Sequence, residues 1–225
     1  PPRSTLFPYT TLFRSYRGEE NVAISWVGDG TAAEGDFHYA LNFAAVYRAP
    51  VILNVVNNQW AISTHMNISI GGATFAARGI AYGLPSIRVD GNDFLALYAV
   101  TQWAAERARQ GLGATFIEVL TYRGEAHSTS DDPTRYRPKN EWESWPLGDP
   151  IERLKAHLKA IGEWSEKRHS ALENELDKLV VKSYKKAEEY GTLDAGPYPP
   201  TSTLFEDVYK NELPHLRKQR QQLGV

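Results

Sequence analysis

NVAISWVGDGTAAEGDFHYALNFAAVYRAPVILNVVNNQW, residues 21–60, decides the fold. Its first seven residues are a β-rich apolar run that stops at Gly28-Asp29-Gly30, a turn signal. The period then changes. Phe37, Leu41, Ala44 and Ala45 recur at helical spacing and put one apolar stripe against a core. "APVILNVV" (49–56) is apolar at nearly every position, as in a strand buried on both faces, and it stops at Asn57 and Asn58. Strand, tight loop, helix and buried strand in succession describe a βαβ unit, because parallel strands need a long crossover between them.

The alternation continues outward. A helix is expected over 73–82, a strand at "SIRV" (86–89), a helix over 92–110 and a strand at "TFIEVLTYR" (115–123). This order predicts an α/β fold with a doubly wound, mostly parallel sheet. Past Arg137 the composition shifts to the Pro- and Trp-rich "PKNEWESWPLGDP", so a boundary is placed there. Residues 16–137 then form the α/β domain, and 138–225 a helical extension and tail suited to subunit contacts. In the second helix of the extension Leu172, Leu176, Leu179 and Val180 share one face, with Glu173, Glu175, Lys178 and Lys182 on the other. "GTLDAGPYPPTST" (191–203) reads as a linker by its Gly and Pro content.

The leader reads differently. "TLFPYTTLFRS" (5–15) has Pro8 at its centre, repeats "TLF", has no strand or helix period, and lacks the features of a targeting peptide. It resembles the translation of a common sequencing adapter. Residues 1–15 are therefore set aside as an artefactual leader, and the authentic sequence is expected to begin near Tyr16, inside an N-terminally truncated domain.

Bulk properties narrow the function classes. With 225 residues and 42% hydrophobic content the chain can bury a sizeable core. A net charge of -2 gives no broad basic footprint, so nucleic acid is not expected as a partner. No apolar run reaches the length a membrane crossing requires, and the cytoplasm is the default location. The absence of cysteine excludes a thiol nucleophile, disulfides and thiolate metal sites.

Asp29 closes the first strand and Asn58 closes the next. If those strands are neighbours, both oxygens face one crevice beyond the strand ends, where open α/β sheets bind ligands. A carboxylate, an amide oxygen and a nearby backbone carbonyl are hard donors that suit Mg²⁺ and leave coordination positions for phosphate and water. Gly28 and Gly30 let the backbone approach closely, and the helix after Gly30 would direct free N–H groups at the same anion. Taken singly, "GDG" is a turn and "NN" a strand stop; taken together at two strand ends they favour a site. His127 is the acid–base candidate, since imidazole exchanges protons near neutral pH. Spacing alone gives it no partner, and the loop "STSDDPTRYR" (128–137) could be either a solvated charged loop or one pinned by Asp131, Asp132, Arg123, Tyr136 and Arg137. His38, His65, His157, His169 and His215 lack metal-like spacing and read as structural or surface.

These blocks carry a resemblance. "GDGTAAEGD" followed by "NN" resembles the thiamin diphosphate and magnesium motif. "NNQWAIST" (57–64), "RVDGNDFLALY" (88–98) and "TYRGEAHSTSDDPTRYRP" (121–138) are similar to the alpha subunits of the decarboxylating component of branched-chain 2-oxo acid dehydrogenases, bacterial type. The resemblance runs from Tyr16 to Val225, and "HSTSDD" favours this group over the pyruvate group, whose loop is closer to "HSMSDP". It implies a thiamin diphosphate-binding fold in which Asp29 and Asn58 by side chain, and Trp60 by carbonyl, hold Mg²⁺. Gly28, Gly30 and Thr31 would lie against the diphosphate. His127 would sit by the cofactor and assist acyl transfer, while Arg123, Ser128, Asp131, Tyr136 and Arg137 would order the loop that receives the lipoyl-bearing partner. Ser128 aligns with a serine phosphorylated in mitochondrial relatives, a regulation not expected here. Val56 stands where some members carry an arginine to the diphosphate, so that contact must come from elsewhere or be absent.

The implied activity is oxidative decarboxylation of branched-chain 2-oxo acids with acyl transfer to lipoyl on an acyltransferase core. The implied unit is an α2β2 heterotetramer whose cofactor spans alpha and beta chains, so this chain alone is expected to be inactive. The alternatives are a pyruvate or acetoin dehydrogenase alpha subunit, or a non-catalytic interaction fragment.

Overall fold

The structure, a computed structural model, describes residues 21–191, 198–206 and 209–225; the leader at 1–15 and part of the linker at 191–203 lie outside the described residues. The chain divides into two compact units, one running through Ile161 and the other beginning at Gly162.

The first unit is built on the expected βαβ order. Strand β1 (Ala23–Gly28) leads into a single helical turn, α1 (Asp29–Ala32), and then helix α2 (Gly35–Val46) and strand β2 (Val51–Asn57). The expected loop-then-helix is thus interrupted, because Glu34 adopts an extended conformation (φ -75°, ψ 152°) before α2 restarts. A two-residue hairpin follows, β3 (Trp60–Ala61) and β4 (Thr64–His65), then helices α3 (Met66–Ser69) and α4 (Ala76–Ala81). The helix expected over 73–82 is shorter, beginning only after Phe75, and the Thr74 hydroxyl accepts from Ala77 N at 3.2 Å. Strand β5 (Ser86–Asp90), helix α5 (Phe94–Arg109), strand β6 (Thr115–Leu120) and helix α6 (Pro150–Ala160) complete the unit.

The four long strands are parallel, in the order β1-β2-β6-β5. The chain steps from β1 to β2, passes over to β5, and returns through α5 to β6 between them. With right-handed crossovers, that reversal puts α2 and α4 on one face of the sheet and α5 on the other. The core follows. Phe37, Leu41 and Ala44 of α2 pack with Val51, Leu53, Val55, Phe75 and Phe116 on one face, while Ala104 packs with Ile52, Val89, Ile117 and Val119 on the other. The sheet is therefore doubly wound, and alternate residues of β2 and β6 serve opposite cores.

The unit extends past the composition break at Arg137. Asn92 donates to the Gly148 carbonyl, and Arg153 on α6 pairs with Asp90 at 2.6 Å and Asp93 at 3.5 Å. Those side-chain ties hold 138–161 to the β5 end, which composition alone could not reveal. In the second unit, helix α7 (Glu166–Glu188) starts at Ser165, whose hydroxyl accepts from Arg168 N at 3.2 Å, and helix α8 (Pro214–Leu223) ends at Gly224. Among the described residues, no helix is long and apolar enough to cross a membrane.

Candidate functional site

Register fixes where the candidate donors stand. Gly28 pairs with Val56 across β1 and β2, so Asp29 and the Asn57-Asn58 pair emerge at the same end of adjacent strands. The β6 strand ends there too. Thr121 N donates to Asn57 O at 2.9 Å and Arg123 N to Asn58 O at 3.1 Å, so residues 121–123, expected as strand, instead run along the turn after β2.

Asp29 is the most informative residue. It is 3% exposed; its Oδ1 accepts from Gly30 N at 2.8 Å, and its Oδ2 is buried with no hydrogen-bond partner among the described residues. Burial raises its carboxyl above the ordinary carboxylate range, while the Gly30 N–H and the nearby Arg123 and His65 charges pull it down. A buried, half-satisfied carboxylate is costly unless a cation or donor completes it. Gly30 sits against Ala61; a Cβ there would lie 2.7 Å from the Ala61 Cβ, so only glycine lets α1 close onto the β3 hairpin. Gly28 has open space, and Thr31 is exposed at the rim. The N–H groups offered to an anion belong to a single turn rather than to the longer helix expected after Gly30, because that helix starts only at Gly35.

Across the crevice, the Asn58 Oδ1 accepts from Trp60 N at 3.2 Å. The Trp60 carbonyl accepts from Arg123 Nη1 at 3.0 Å, and Gln59 and Ile62 take left-handed conformations (φ 75° and 55°) to make the turn. A carbonyl has two lone pairs, so the Arg123 bond leaves one available. The oxygen-only donor set and the unsatisfied Asp29 oxygen fit a small, hard divalent ion.

Arg123 then joins this turn to the polar loop. Its Nη2 donates to Ile62 O at 2.7 Å and to the Tyr136 hydroxyl at 2.8 Å; Tyr136 donates to Asp131 Oδ2 at 2.6 Å, which also accepts from His127 N at 2.9 Å. Arg137 donates to the carbonyls of Arg123, Gly124 and Glu125 and lies over the Tyr122 ring. These bonds tie an otherwise exposed loop to the turn after β2. Asp132 caps the short turn at Pro133–Arg135, its Oδ1 accepting from Thr134 N at 3.1 Å. His127 is exposed at the tip, and the Ser128 hydroxyl pairs with that of Ser130 at 3.3 Å. The Tyr136 bond and the His127 N–H hold the Asp131 carboxyl below its ordinary value. A depressed carboxyl stabilises the loop above its ordinary pKa, and this contribution fades as pH falls through the folded value. Tyr136→Phe removes the hydroxyl that links Arg123 to Asp131; protease cleavage within 124–135 is expected to run about five-fold faster, as followed by mass spectrometry.

Two contributors were not singled out in the sequence. His65, read as structural or surface, packs edge-on against Trp60 with ring centroids 4.8 Å apart, and its charge acts on Asp29. Glu118, fully buried in β6, accepts from Asn57 Nδ2 at 2.8 Å. A charge inside the apolar run "TFIEVL" was the available signal.

Comparison with known proteins adds to this geometry. The family described as "Dehydrogenase E1 component" matches residues 9–196. The chain is 57% identical over 210 residues to 2-oxoisovalerate dehydrogenase subunit alpha of Pseudomonas aeruginosa, covering 93% of this chain and 51% of that protein. It is 43% identical to 3-methyl-2-oxobutanoate dehydrogenase subunit alpha of Mycobacterium tuberculosis, covering 91% of this chain and 54% of that protein. It is 42% identical to pyruvate dehydrogenase E1 component subunit alpha of Acholeplasma laidlawii, covering 90% of this chain and 58% of that protein. The chain spans about half the length of the curated relatives it matches.

Proposed function

The chain belongs to the dehydrogenase E1 component family, and from that premise we propose that it serves as alpha-subunit sequence of a branched-chain 2-oxo acid dehydrogenase that uses thiamin diphosphate and Mg²⁺. The observation that carries the cofactor reading is the buried Asp29 Oδ2, without a hydrogen-bond partner among the described residues, at the end of β1 beside the Asn58–Trp60 turn at the end of β2. Asp29 and Asn58 by side chain and Trp60 by carbonyl would hold the ion; Gly28, Gly30 and Thr31 would border the diphosphate. When bound, thiamin diphosphate supplies the nucleophilic carbon and the electron sink that 2-oxo acid decarboxylation needs.

The rest is work for the chain's own groups. Asp29 would balance the cation's charge through its buried carboxyl. His127, on a loop fixed through Asp131, Tyr136 and Arg123, is free to accept or deliver a proton as an acyl group passes to the lipoyl arm of an acyltransferase core. Val56 is apolar, so anion contact in the crevice falls to backbone N–H groups rather than to a side chain on β2. A beta subunit in an α2β2 heterotetramer would complete the site, and the location would be cytoplasmic.

The branched-chain preference rests on the 57% identity to a 2-oxoisovalerate dehydrogenase subunit. A pyruvate-directed reading draws on the 42% identity to a pyruvate dehydrogenase subunit. Calorimetric titration with thiamin diphosphate, alone and with a beta subunit, is expected to give heat that requires Mg²⁺ and disappears with EDTA. With the beta subunit present, carbon dioxide release is expected to be at least about 10-fold faster from 3-methyl-2-oxobutanoate than from pyruvate, a discrimination of the size a few methyl groups can supply. Absence of Mg²⁺-dependent heat in both arms would refute the cofactor reading; faster release from pyruvate would refute the substrate preference.

A further inference from the structure

Glu118 is a fully buried carboxylate that the proposed chemistry does not use. It lies on β6 with the parity of Phe116, facing the α2–α4 side of the sheet, directly opposite Arg88 on β5. Three donors converge on it: Asn57 Nδ2 at 2.8 Å, Ala76 N at the start of α4 at 2.9 Å, and Arg88 Nε at 3.4 Å. Buried charges persist where such partners complete them.

Its partner Asn57 is 0% exposed and sits immediately before the candidate ligand Asn58. With Arg88 Nε and Ala76 N also directed at Glu118, the Asn57 amide turns its nitrogen toward that side chain and its oxygen toward the turn. That oxygen accepts from Gln59 N at 3.3 Å and from Gln59 Nε2 at 2.9 Å. Gln59 is held at φ 75°, a conformation that costs a non-glycine residue energy unless its surroundings over-determine it. The next residue is Trp60, whose N–H engages Asn58 Oδ1.

We propose that Glu118 is a positioning residue: through Asn57 it fixes the amide orientation that holds Gln59 in its left-handed turn and so aims the Asn58 amide oxygen and the Trp60 carbonyl at the cation. This rests on the reading of that turn as the metal site. It makes the metal site depend on a charged side chain in the sheet core, one strand removed from the ligands.

The hydrogen-bond logic supplies the test. Glu118→Gln replaces two acceptors by one acceptor and one donor. It cannot accept from both Asn57 and Ala76, and if it donates to Asn57 it turns that amide over and sets its nitrogen against the Gln59 N–H. The exchange Glu118→Gln with Asn57→Asp restores the bond between positions 118 and 57 in reverse polarity and keeps the Ala76 bond, leaving the 41% exposed Arg88, which shared Oε1 with Asn57, to solvent. The amide now on β6 accepts from Ala76 N and donates to the carboxylate now on β2, which still accepts from Gln59.

Two readouts are taken on the full 225-residue chain. Amide hydrogen exchange at Gln59 and Trp60, without metal, is expected to accelerate about 10-fold or more in Glu118→Gln and to return to within about three-fold of the original rate in the exchanged pair. Binding of Mn²⁺ with thiamin diphosphate, followed by electron paramagnetic resonance, is expected to weaken about 10- to 100-fold and to recover likewise, the range found for groups that orient metal ligands. Unchanged exchange in Glu118→Gln, or no recovery in the exchanged pair, overturns the proposal. If Glu118→Gln does not fold, recovery of folding and turn protection in the exchanged pair supports it, and failure of both overturns it. An original chain that takes up no Mn²⁺ refutes the cofactor reading instead, and the exchange rates still decide the role of Glu118.

Discussion

Asp29→Asn is expected to weaken binding of Mg²⁺–thiamin diphosphate on the order of 100-fold, about 2.7 kcal/mol, and to raise the melting temperature of the ligand-free chain at pH 7. Both results come from one oxygen. Asp29 Oδ2 is buried without a donor among the described residues, and burial raises the carboxyl above its ordinary value. A raised carboxyl means that the folded state holds its proton more tightly than the unfolded state does. Stability therefore falls as pH rises from the ordinary carboxylate value through the raised one, and a constant penalty remains above it. Asparagine never ionises, so it removes the penalty at pH 7 and has no such advantage below the ordinary carboxylate pKa. It also removes the charge that a divalent ion needs. Thermal melts at several pH values, with and without Mg²⁺ and thiamin diphosphate, check both halves. Equal melting temperatures for both chains at pH 7 without ligand would contradict the burial argument; unaltered affinity would contradict the ligand assignment.

Phe116→Ala is expected to cost about 3–5 kcal/mol, the range for emptying a buried aromatic site. The Phe116 side chain is fully buried on the α2 face of β6, with its ring centroid 5.5 Å from that of Phe37. Its room is made by Gly79 on α4, where a Cβ would lie 2.7 Å from Phe116 Cδ1. Helix and sheet meet too closely there for the cavity to close by small side-chain shifts. Since whole domains are stable by only about 5–15 kcal/mol, the variant should lose much of its resistance to urea. A lower midpoint with an unchanged slope is the expected signature, and a loss below about 1 kcal/mol would contradict the packing argument.

Much of this was readable from residue order. Val51 to Val55 are apolar without alternation except at Asn54 because both faces of β2 are covered, and that pattern marked a central parallel strand. The reversal of strand order was not readable, since apolar runs do not say which neighbour they join. That Asp29 and Asn58 each follow a strand end was legible because turn chemistry stops both runs, and the β1–β2 register puts those ends at one edge of the sheet. The division of labour between the asparagines was only half legible. Asn57 shares parity with the buried Val51, Leu53 and Val55, so its side chain turns inward, while Asn58 is free to face the crevice. The hairpin at 60–65 is too short to show a period, and the ties of Arg153 to the β5 end link positions too distant in sequence for local reading.

The three-way grip of Arg123 has an experimental corollary. One guanidinium fastens Trp60, Ile62 and Tyr136, so a mechanical disturbance on either side of it reaches the other. Defects caused by altering Arg123 will therefore arrive bundled, with the turn after β2 and the loop at 124–135 disturbed by the same change. Assigning either effect to that arginine requires lesions placed separately upstream and downstream of it, at the Trp60 side and at Asp131.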